Sequence, residues 1–400
     1  MTLTMRIDGV AFGGAGVGRY ENMAVFVPFT APGDEVAVTV KAVKRRYARG
    51  DLREIVTASP RRVPPRCPYF TRCGGCDYQH LPYAEQPAIK EGQVREIFRR
   101  LGGFPEPPVA AIVPSPRPFH YRGKGEFCLR RERGKTTAGF LRAGSHELVE
   151  IESCAIVHET INDALTALRR SGDGETRRRG WQKLSLWSHP ETFPDAASRN
   201  DHRGLSYVRR EVLGKTLLVP RDGFFQANLF LTGRLVEEVS ALCALTGRET
   251  VVDAYGGSGL FSIFLGPAAR RIVGIEVQES AVRCARLNLE REGLANGAFV
   301  VGDAGEVLQE MFVRTGSTVD VLLLDPPRIG CGHKVLEAAA RLGPARIVYV
   351  SCNPATLARD CRFLVASGYR LRHLQPLDMF PQTAHIEIVC LLQRADLIAG

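Results

Sequence analysis

Hydrophobic and polar residues alternate over short distances near the start of the chain. Strand-forming runs occupy Val25–Val27, Glu35–Val40 and Leu52–Val56, and the second run alternates at every residue. Turn signals that contain glycine, proline and aspartate separate these runs. Short strands at this spacing predict a five-stranded, OB-like β-barrel over residues 1–60.

The hydrophobic pattern of the last part of the chain is different. After Asp222, apolar strands and amphipathic helical segments alternate regularly, which predicts a parallel sheet with right-handed crossovers. A Rossmann-like α/β domain is therefore expected over residues 221–400. The last two strands are joined by a short link, so we expect them to pair antiparallel. The predicted strands are Thr250–Tyr255, Arg271–Val277, Ala298–Asp303, Val319–Leu324, Arg346–Ser351, Tyr369–Leu374 and Ile386–Leu392.

The middle of the chain, residues 61–220, has a less regular pattern. It opens with a basic amphipathic helix predicted over Ala84–Leu101. From Ala111 onward the pattern is strand-like and irregular, and polar breaks occur at Ser171–Gly180 and Ser188–Gly204. We expect a mixed α/β central domain with flexible loops.

Basic residues outnumber acidic residues, with 53 Lys plus Arg against 43 Asp plus Glu and a net charge of +10. This balance favours a polyanionic partner. The excess is concentrated in one segment, where nine basic residues stand against two acids, Asp51 and Glu54. A solvated surface is the alternative explanation for such a cluster. The nine are Lys41, Lys44, Arg45, Arg46, Arg49, Arg53, Arg61, Arg62 and Arg66.

Neither a secretion signal nor a membrane span is predicted. The first residues lack the apolar core of a signal peptide. The longest uncharged run, Ala254–Ala269, contains four glycines and a proline and cannot cross a bilayer as a helix. We therefore expect a cytoplasmic protein without a membrane partner. In that compartment its 11 cysteines would serve as ligands, nucleophiles and core residues rather than in disulfides.

Three cysteines form a compact cluster in a turn-rich segment. Cys67, Cys73 and Cys76 are separated by five and two residues, a spacing that suits an iron–sulfur cluster or zinc. Both groups usually need a fourth ligand, for which Cys128 and Cys154 are the candidates. A redox Cys-x-x-Cys pair is disfavoured, because no thioredoxin-like βαβ pattern surrounds it.

A glycine turn follows the first strand of the predicted α/β domain. In Val251–Gly259 a strand runs into this turn, and Glu276 ends the next strand, where a carboxylate can accept both ribose hydroxyls of a nucleoside. Ser262 stands where a dinucleotide fingerprint has its third glycine, so the pyrophosphate site is incomplete. The pattern therefore favours S-adenosylmethionine, whose nucleoside carries no phosphate.

Reactive side chains follow two further strands of the same sheet. Asp325 and Cys352 come directly after apolar strands, and ligands of open parallel sheets bind outside the carboxyl ends of the strands. Near the C-terminus, His385 and Glu387 precede the last strand, and residues two apart in a strand share a face. The alternatives are a small buried hydrophobe for Cys352 and a solvent-facing edge charge for Glu387.

These groups match the needs of methylation at carbon 5 of uracil. A thiolate that adds to carbon 6 makes the ring nucleophilic, a sulfonium supplies the methyl group, and a carboxylate removes the proton from carbon 5. Cys352, the glycine turn and Glu387 fit these three roles. We expect a lowered pKa for the Cys352 thiol, aided by a helix that starts at Pro354. The target base must also leave its stack.

Together the motifs resemble the S-adenosylmethionine-dependent RNA 5-methyluridine methyltransferases, especially the ribosomal RNA members, over nearly the whole chain. The resemblance implies an N-terminal TRAM barrel, a central domain with a four-cysteine 4Fe-4S cluster, and a Rossmann-like methyltransferase domain. The motifs that carry it are the cysteine cluster, Phe224–Asn228, Asp325–Arg328, Ser351–Pro354 and His385–Glu387.

The resemblance also implies a role for individual residues. Cys352 is the expected nucleophile and Glu387 the expected base. Contacts to S-adenosylmethionine are expected from Gln226, Tyr255, Glu276, Asp303 and Asp325, and ligation of the 4Fe-4S cluster from Cys67, Cys73, Cys76 and Cys154. The expected partner of this monomer is RNA, with ribosomal RNA first and transfer RNA as the alternative, bound in single-stranded or loop regions.

Two other functions remain open on the sequence alone. An enzyme that methylates a base amine could use the Asp-Pro-Pro motif at Asp325 and would have no use for Cys352. An RNA-binding or folding factor could keep the cofactor fold without activity, although the presence of nucleophile, base and cofactor acids disfavours it.

Overall fold

The structure is a computed structural model, which describes residues 2–132, 135–171, 181–188, 199–200 and 206–398. Most of the two predicted polar breaks, Ser171–Gly180 and Ser188–Gly204, lies outside these residues. The chain divides into two compact units. The first comprises Met1–Gln93, Arg117–Phe193 and Phe380–His385, and the second comprises Val94–Pro116, Pro194–Met379 and Ile386–Gly400. The expected three-domain boundaries, at residues 60 and 220, stay a prediction.

The first unit begins with a closed five-stranded barrel, which confirms the predicted OB-like fold. Along β1 every second residue is buried, so Leu3, Met5 and Ile7 point inward against Val36 and Val38 of β4. This alternation gives the barrel its apolar core. The strands are β1 (Thr2–Val10), β2 (Gly16–Tyr20), β3 (Met23–Val27), β4 (Glu35–Val43) and β5 (Tyr47–Thr57), joined in the order β1-β2-β3-β5-β4.

The predicted basic helix extends over nearly the expected residues. It consists of a 3-10 turn at Tyr83–Glu85, helix α1 (Gln86–Ile97) and a π-helical turn at Phe98–Gly102. Gly103 has a φ of 75°, a left-handed conformation that glycine adopts easily and that ends the helix.

A four-stranded antiparallel sheet with one helix completes the first unit. Its strands are β6 (Lys124–Glu132), β7 (Lys135–Leu141), β8 (Leu148–Glu150) and β9 (Gln182–Trp187), in the order β8-β7-β6-β9. Helix α2 (Glu159–Ser171) places Ile161 and Leu165 against Phe127 and Val149 of the sheet. The mixed α/β character predicted for the central residues is confirmed here.

The second unit contains two sheets. Strands β10 (Arg199–Asn200), β11 (Ser206–Val212) and β12 (Lys215–Pro220) form a small antiparallel sheet. The larger sheet has seven strands in the order β15-β14-β13-β16-β17-β19-β18. Its strands are β13 (Thr250–Ala254), β14 (Arg271–Glu276), β15 (Gly297–Val301), β16 (Val321–Leu324), β17 (Arg346–Ser351), β18 (Tyr369–Leu377) and β19 (Glu387–Arg394).

The large sheet confirms the predicted Rossmann-like fold. Strands β13 to β17 are parallel, and β19 runs antiparallel to both of its neighbours, β17 and β18. The antiparallel pairing of β18 with β19 is the one expected from their short link. Central strands such as β16 are buried at every residue, because helices cover both faces of a parallel sheet. The helices are α3 (Thr232–Cys243), α4 (Leu260–Leu265), α5 (Glu279–Arg291), α6 (Ala304–Val307), α7 (His333–Leu342) and α8 (Pro354–Ala366).

In the described part of the chain, no helix combines the length and the apolar character needed to cross a bilayer.

Candidate active site

Three adjacent strands of the second unit bring the expected nucleophile and base to one edge of the sheet. Cys352 follows β17, and Asp325 follows β16, the parallel neighbour of β17. Glu387 is the first residue of β19, which runs antiparallel to β17 with Ser351 opposite Ile388. The start of β19 therefore lies beside the carboxyl end of β17, and the sheet itself positions both the expected nucleophile and the expected base.

The Cys352 thiol lies among charged groups of this edge. Burial raises its pKa to about 11, and the negative charges of Glu387 and Asp325 act in the same direction. The Arg328 guanidinium hydrogen-bonds to the thiol and lowers the pKa, without cancelling the other effects. The predicted lowered pKa is therefore wrong for this structure, because desolvation and the charges of two carboxylates outweigh the effect of one arginine.

Glu387 is almost fully buried, with 4% of its surface exposed. Burial raises the pKa of its carboxyl group well above the usual value, the charge of Asp325 raises it further, and Arg328 opposes both. A carboxylate with a raised pKa is a stronger base than an exposed one. The environment of Glu387 therefore suits removal of a proton from carbon.

The expected pairing of His385 with Glu387 on one strand face is wrong. Strand β19 begins at Glu387, so His385 lies outside the strand and the two-residue period does not apply to it. His385 belongs to the first unit, where its ring meets the Phe380 ring edge-on at 5.8 Å.

The glycine turn after β13 folds against Glu276, as the sequence predicts. The Gly257 backbone N–H donates to Glu276 Oε2 at 3.1 Å, and the Gln278 N–H donates to Oε1 at 2.8 Å. Tyr255 and Gly259 adopt left-handed conformations, with φ of 65° and 84°, which turn the chain sharply into α4. The turn therefore holds the Glu276 carboxylate beside the backbone that would face a nucleoside.

Asp253 is a further candidate site residue, which sequence reasoning did not single out. Its carboxyl group is fully buried, and burial raises its pKa to about 7. Ser262 donates to Oδ2 at 2.6 Å, whereas Oδ1 is buried without a hydrogen-bond partner among the described residues. The signal that could have found it is an acidic residue in the middle of the apolar strand β13. Burial of a carboxyl group there costs free energy unless the group has hydrogen-bond partners.

The remaining expected cofactor residues lie at or near strand ends of the second unit. Asp303 follows β15 and caps α6, accepting the N–H groups of Gly305 and Glu306 with Oδ1. Burial raises the pKa of Asp325 to about 8, and the charges of Asp253 and Glu276 add to this effect, so these acids share one electrostatic environment. Gln226 is buried in the segment after β12.

A methyl-donor nucleoside fits the groups at this edge. The side-chain oxygens Asp253 Oδ1 and Ser258 Oγ are buried and unpaired among the described residues. Each Glu276 oxygen accepts one backbone N–H and retains a lone pair for a ribose hydroxyl. The acidic surroundings favour hydroxyl, amine and sulfonium groups and disfavour a pyrophosphate.

The four expected cluster cysteines of the first unit line one cavity of about 300 Å³. They are Cys67, Cys73, Cys76 and Cys154, whereas the alternative fourth ligand, Cys128, does not line it. Burial raises the pKa of Cys73 to about 11 and also raises the pKa values of Cys76 and Cys154. Within the described ranges, no group of three or more His, Cys, Asp or Glu side chains forms a metal-binding arrangement.

A short segment of the same unit forms part of the cavity wall, at Thr383 and His385. The backbone N–H groups of Asp77 and Tyr78 both donate to Gln382 O, at 2.9 and 3.0 Å. The Asp77 carboxylate accepts the Ala384 N–H at 2.8 Å. The residues that follow the cysteines along the chain therefore fix this segment.

Unpaired cations are exposed on the barrel. Lys44, Arg45 and Arg46 lie in the connection between β4 and β5, and none has an ion-pair partner in the described part of the chain. Arg62, by contrast, is paired with buried Asp34 at 2.6 Å. The basic segment thus includes three exposed charges free to meet a polyanion.

Two family models match this chain. The model of the TRAM domain matches residues 1–52, which form the barrel. The model described as tRNA (Uracil-5-)-methyltransferase matches residues 211–395, which include the glycine turn, Cys352 and Glu387.

Relatives of similar length match almost the whole chain. An uncharacterized RNA methyltransferase of Thermosynechococcus vestitus is 35% identical, over 98% of this chain and 98% of its own. Another, from Bacillus cereus, is 32% identical over 96% of this chain and 94% of its own. The solved structure of Pyrococcus abyssi tRNA (uracil-54, C5)-methyltransferase in complex with S-adenosyl-L-homocysteine is 27% identical, with a TM-score of 0.70, and the match covers 97% of this chain and 99% of that one.

Proposed function

This chain belongs to the RNA (uracil-5-)-methyltransferase family, and on that premise we propose that it methylates carbon 5 of a uridine in ribosomal RNA through a covalent bond from Cys352. It is an S-adenosylmethionine-dependent RNA methyltransferase. The observation that carries the finer proposal is the placement of Cys352, Arg328 and Glu387 at one edge of three adjacent strands.

Cys352 opens the proposed reaction. Its thiolate bonds to carbon 6 of the uracil, and the electrons of the carbon 5–carbon 6 double bond move toward the carbonyl at carbon 4, which makes carbon 5 nucleophilic. Arg328 stabilises the thiolate by its charge and hydrogen bond. When bound, S-adenosylmethionine supplies the methyl group that carbon 5 accepts.

Glu387 completes the reaction by removing the proton of carbon 5. The electrons of that carbon–hydrogen bond re-form the double bond, and the bond from carbon 6 to the Cys352 sulfur breaks, which returns the thiolate. The raised pKa of Glu387 makes its ionised form a stronger acceptor for this proton. When Asp325 is ionised, its negative charge raises the pKa values of both Cys352 and Glu387.

Five residues would hold S-adenosylmethionine, and the charges at the site support this assignment. Glu276 would accept the ribose hydroxyls, and Asp303 would accept from the base end of the nucleoside through the oxygen that does not cap α6. The Asp325 carboxyl group and the Tyr255 ring would contact the sulfonium and the amino acid part of S-adenosylmethionine. Gln226 lies in the same unit and would contact the cofactor through its amide.

The cysteine cavity would hold a 4Fe-4S cluster with Cys67, Cys73, Cys76 and Cys154 as ligands. The four cysteines line one cavity, and this placement supports the proposal because a 4Fe-4S cluster is held by four cysteine thiolates. Zinc is the alternative occupant. Anaerobic reconstitution with iron and sulfide should give the visible absorption of a 4Fe-4S cluster, and a colourless protein with one bound zinc would favour the alternative.

RNA is the proposed macromolecular partner, and the barrel supports this assignment through its TRAM match and the exposed Lys44–Arg46 cations. The protein would work in the cytoplasm as a monomer. Transfer RNA is the second candidate substrate, since the Pyrococcus abyssi structure of similar fold is a transfer RNA enzyme.

The test compares ribosomal and transfer RNA from cells that lack this protein. We expect the purified enzyme to form 5-methyluridine in the ribosomal RNA, and formation in transfer RNA alone would select the second candidate. A 5-fluorouridine version of the methylated RNA should form a stable covalent adduct with the wild type and none with Cys352→Ser. If Cys352→Ser kept full activity while Asp325→Ala lost it, methylation of a base amine would replace the proposal.

A further inference from the structure

A buried carboxylate that the proposed mechanism does not use lies on α8 of the second unit. Asp360 has no exposed side-chain surface, and both of its oxygens are paired. Oδ2 accepts the Tyr349 hydroxyl at 2.8 Å and the Cys331 backbone N–H at 2.9 Å. Oδ1 accepts the Arg359 guanidinium at 2.7 and 2.8 Å. Burial of a charge requires such complete pairing.

This ion pair holds the loop that follows β16. The Arg359 guanidinium also donates to the Ile329 carbonyl at 3.0 Å, one residue after Arg328. At Gly330, which has a φ of 78°, a Cβ atom would lie 2.6 Å from Asp360 Oδ2, so the loop backbone packs directly on the carboxylate. Ile329 is 76% exposed and gives the loop no apolar anchor. Cys331 packs into the apolar core at the far end of the loop, and polar contacts to Arg359 and Asp360 fix the backbone of residues 329–331.

The loop is also held on the side of the nucleophile. The Arg328 carbonyl accepts Asn353 Nδ2 at 3.0 Å and Thr356 Oγ1 at 3.3 Å. Asn353 is the residue after Cys352 and caps α8. The loop is thus attached at Arg328 to the start of α8 and at Ile329–Cys331 to Asp360, two turns further along the same helix.

We propose that Asp360 is a positioning residue which, with Tyr349 and Arg359, sets the loop so that the Arg328 guanidinium meets the Cys352 thiol. The inference rests on the proposed function and deepens it. Asp360 does not touch the reacting atoms and acts through Arg328. Its loss should therefore impair the nucleophile more than the binding of RNA.

The first test is Asp360→Asn. An amide keeps the shape of the carboxylate but loses its charge and sets N–H groups or a neutral oxygen against Arg359. We expect kcat to fall about tenfold with little change in KM for RNA, because one charge-assisted contact is lost. Alkylation of Cys352 by iodoacetamide, followed by mass spectrometry of its peptide, should require a higher pH than in the wild type. The matched control is Asp396→Asn, which removes an exposed partner of Arg394.

A second variant tests the proposal in case Asp360→Asn does not fold. Tyr349→Phe retains the buried ring and removes only the hydroxyl that donates to Asp360, so it should change the same two readouts in the same direction by less. In the double variant Asp360→Asn/Arg328→Gln, alkylation should be no slower than in Arg328→Gln alone, because Asp360 acts through that arginine.

Two results would overturn the inference. One is a loss of thermal stability in both variants with an unchanged pH dependence of Cys352 alkylation, which is what a merely structural role predicts. The other is additivity in the double variant. Alkylation needs no turnover, so it tests Asp360 even if Cys352→Ser remains active and the proposed function fails.

Discussion

The Arg328→Gln variant tests how the surrounding charges set the pKa of Cys352, the proposed nucleophile. Arg328 is exposed, yet it hydrogen-bonds to the Cys352 thiol, whose pKa stands at about 11. Loss of a charge-assisted hydrogen bond to an exposed group costs about 1.4 kcal/mol, at the lower end of the usual range, which corresponds to about one pKa unit. The pKa of Cys352 should therefore rise by about that amount.

A higher pKa should make Cys352 less reactive, because the thiolate is the form that reacts. At about pH 8 a thiol of pKa 11 is ionised in about one molecule in a thousand, and a rise of one unit lowers that fraction about tenfold. We expect iodoacetamide to modify Cys352 about tenfold more slowly in Arg328→Gln at every pH between about 7 and 10.

The assay follows the Cys352 peptide by mass spectrometry, which separates it from the other cysteines. Arg341→Gln, a substitution at an exposed arginine in the last turn of α7, is the matched control and should alkylate like the wild type. An equal or faster rate in Arg328→Gln would refute the assignment of Arg328 as the group that stabilises the thiolate.

Three further predictions concern base, cofactor and RNA. Glu387→Gln should slow product formation by about 10²- to 10⁴-fold and let the covalent RNA adduct accumulate, as seen on denaturing gels; turnover near the wild-type rate would exclude Glu387 as the base. Glu276→Gln should weaken the binding of S-adenosylmethionine about tenfold or more, as measured by calorimetry; an unchanged affinity would exclude Glu276 as a cofactor ligand. Neutralising Lys44, Arg45 and Arg46 together should weaken RNA binding and reduce its salt dependence, while the affinity for the cofactor stays unchanged. An equal loss of RNA affinity and cofactor affinity would contradict the assignment of RNA binding to the barrel.

Much of the fold follows from local patterns in the sequence. Alternation predicted the barrel, and the succession of apolar runs predicted the strands of the large sheet and the antiparallel pairing of β18 with β19. Cys352 and Asp325 were placed at strand ends because strand length and turn residues are encoded locally. The shared face expected for His385 and Glu387 was wrong, because His385 lies outside β19 and the period of a strand does not extend to it.

Other features of the site depend on residues far apart in the chain. The selection of Cys154 over Cys128 for the cysteine cavity, the unpaired oxygen of Asp253 and the contacts of Asp360 with the loop after β16 have no signal in spacing alone. Each arises only when separate elements pack together.

The pKa of Cys352 shows most clearly which properties follow from the local sequence and which from the tertiary structure. The sequence by itself determined that a thiol follows a buried strand and precedes a helix, and this local view predicted a lowered pKa. Only the tertiary structure decided the actual direction, because desolvation and the charges of Glu387 and Asp325 come from distant residues and together exceed the effect of Arg328. Local periodicity fixes where a side chain lies along its strand, whereas the surrounding dielectric and charges depend on the packed fold.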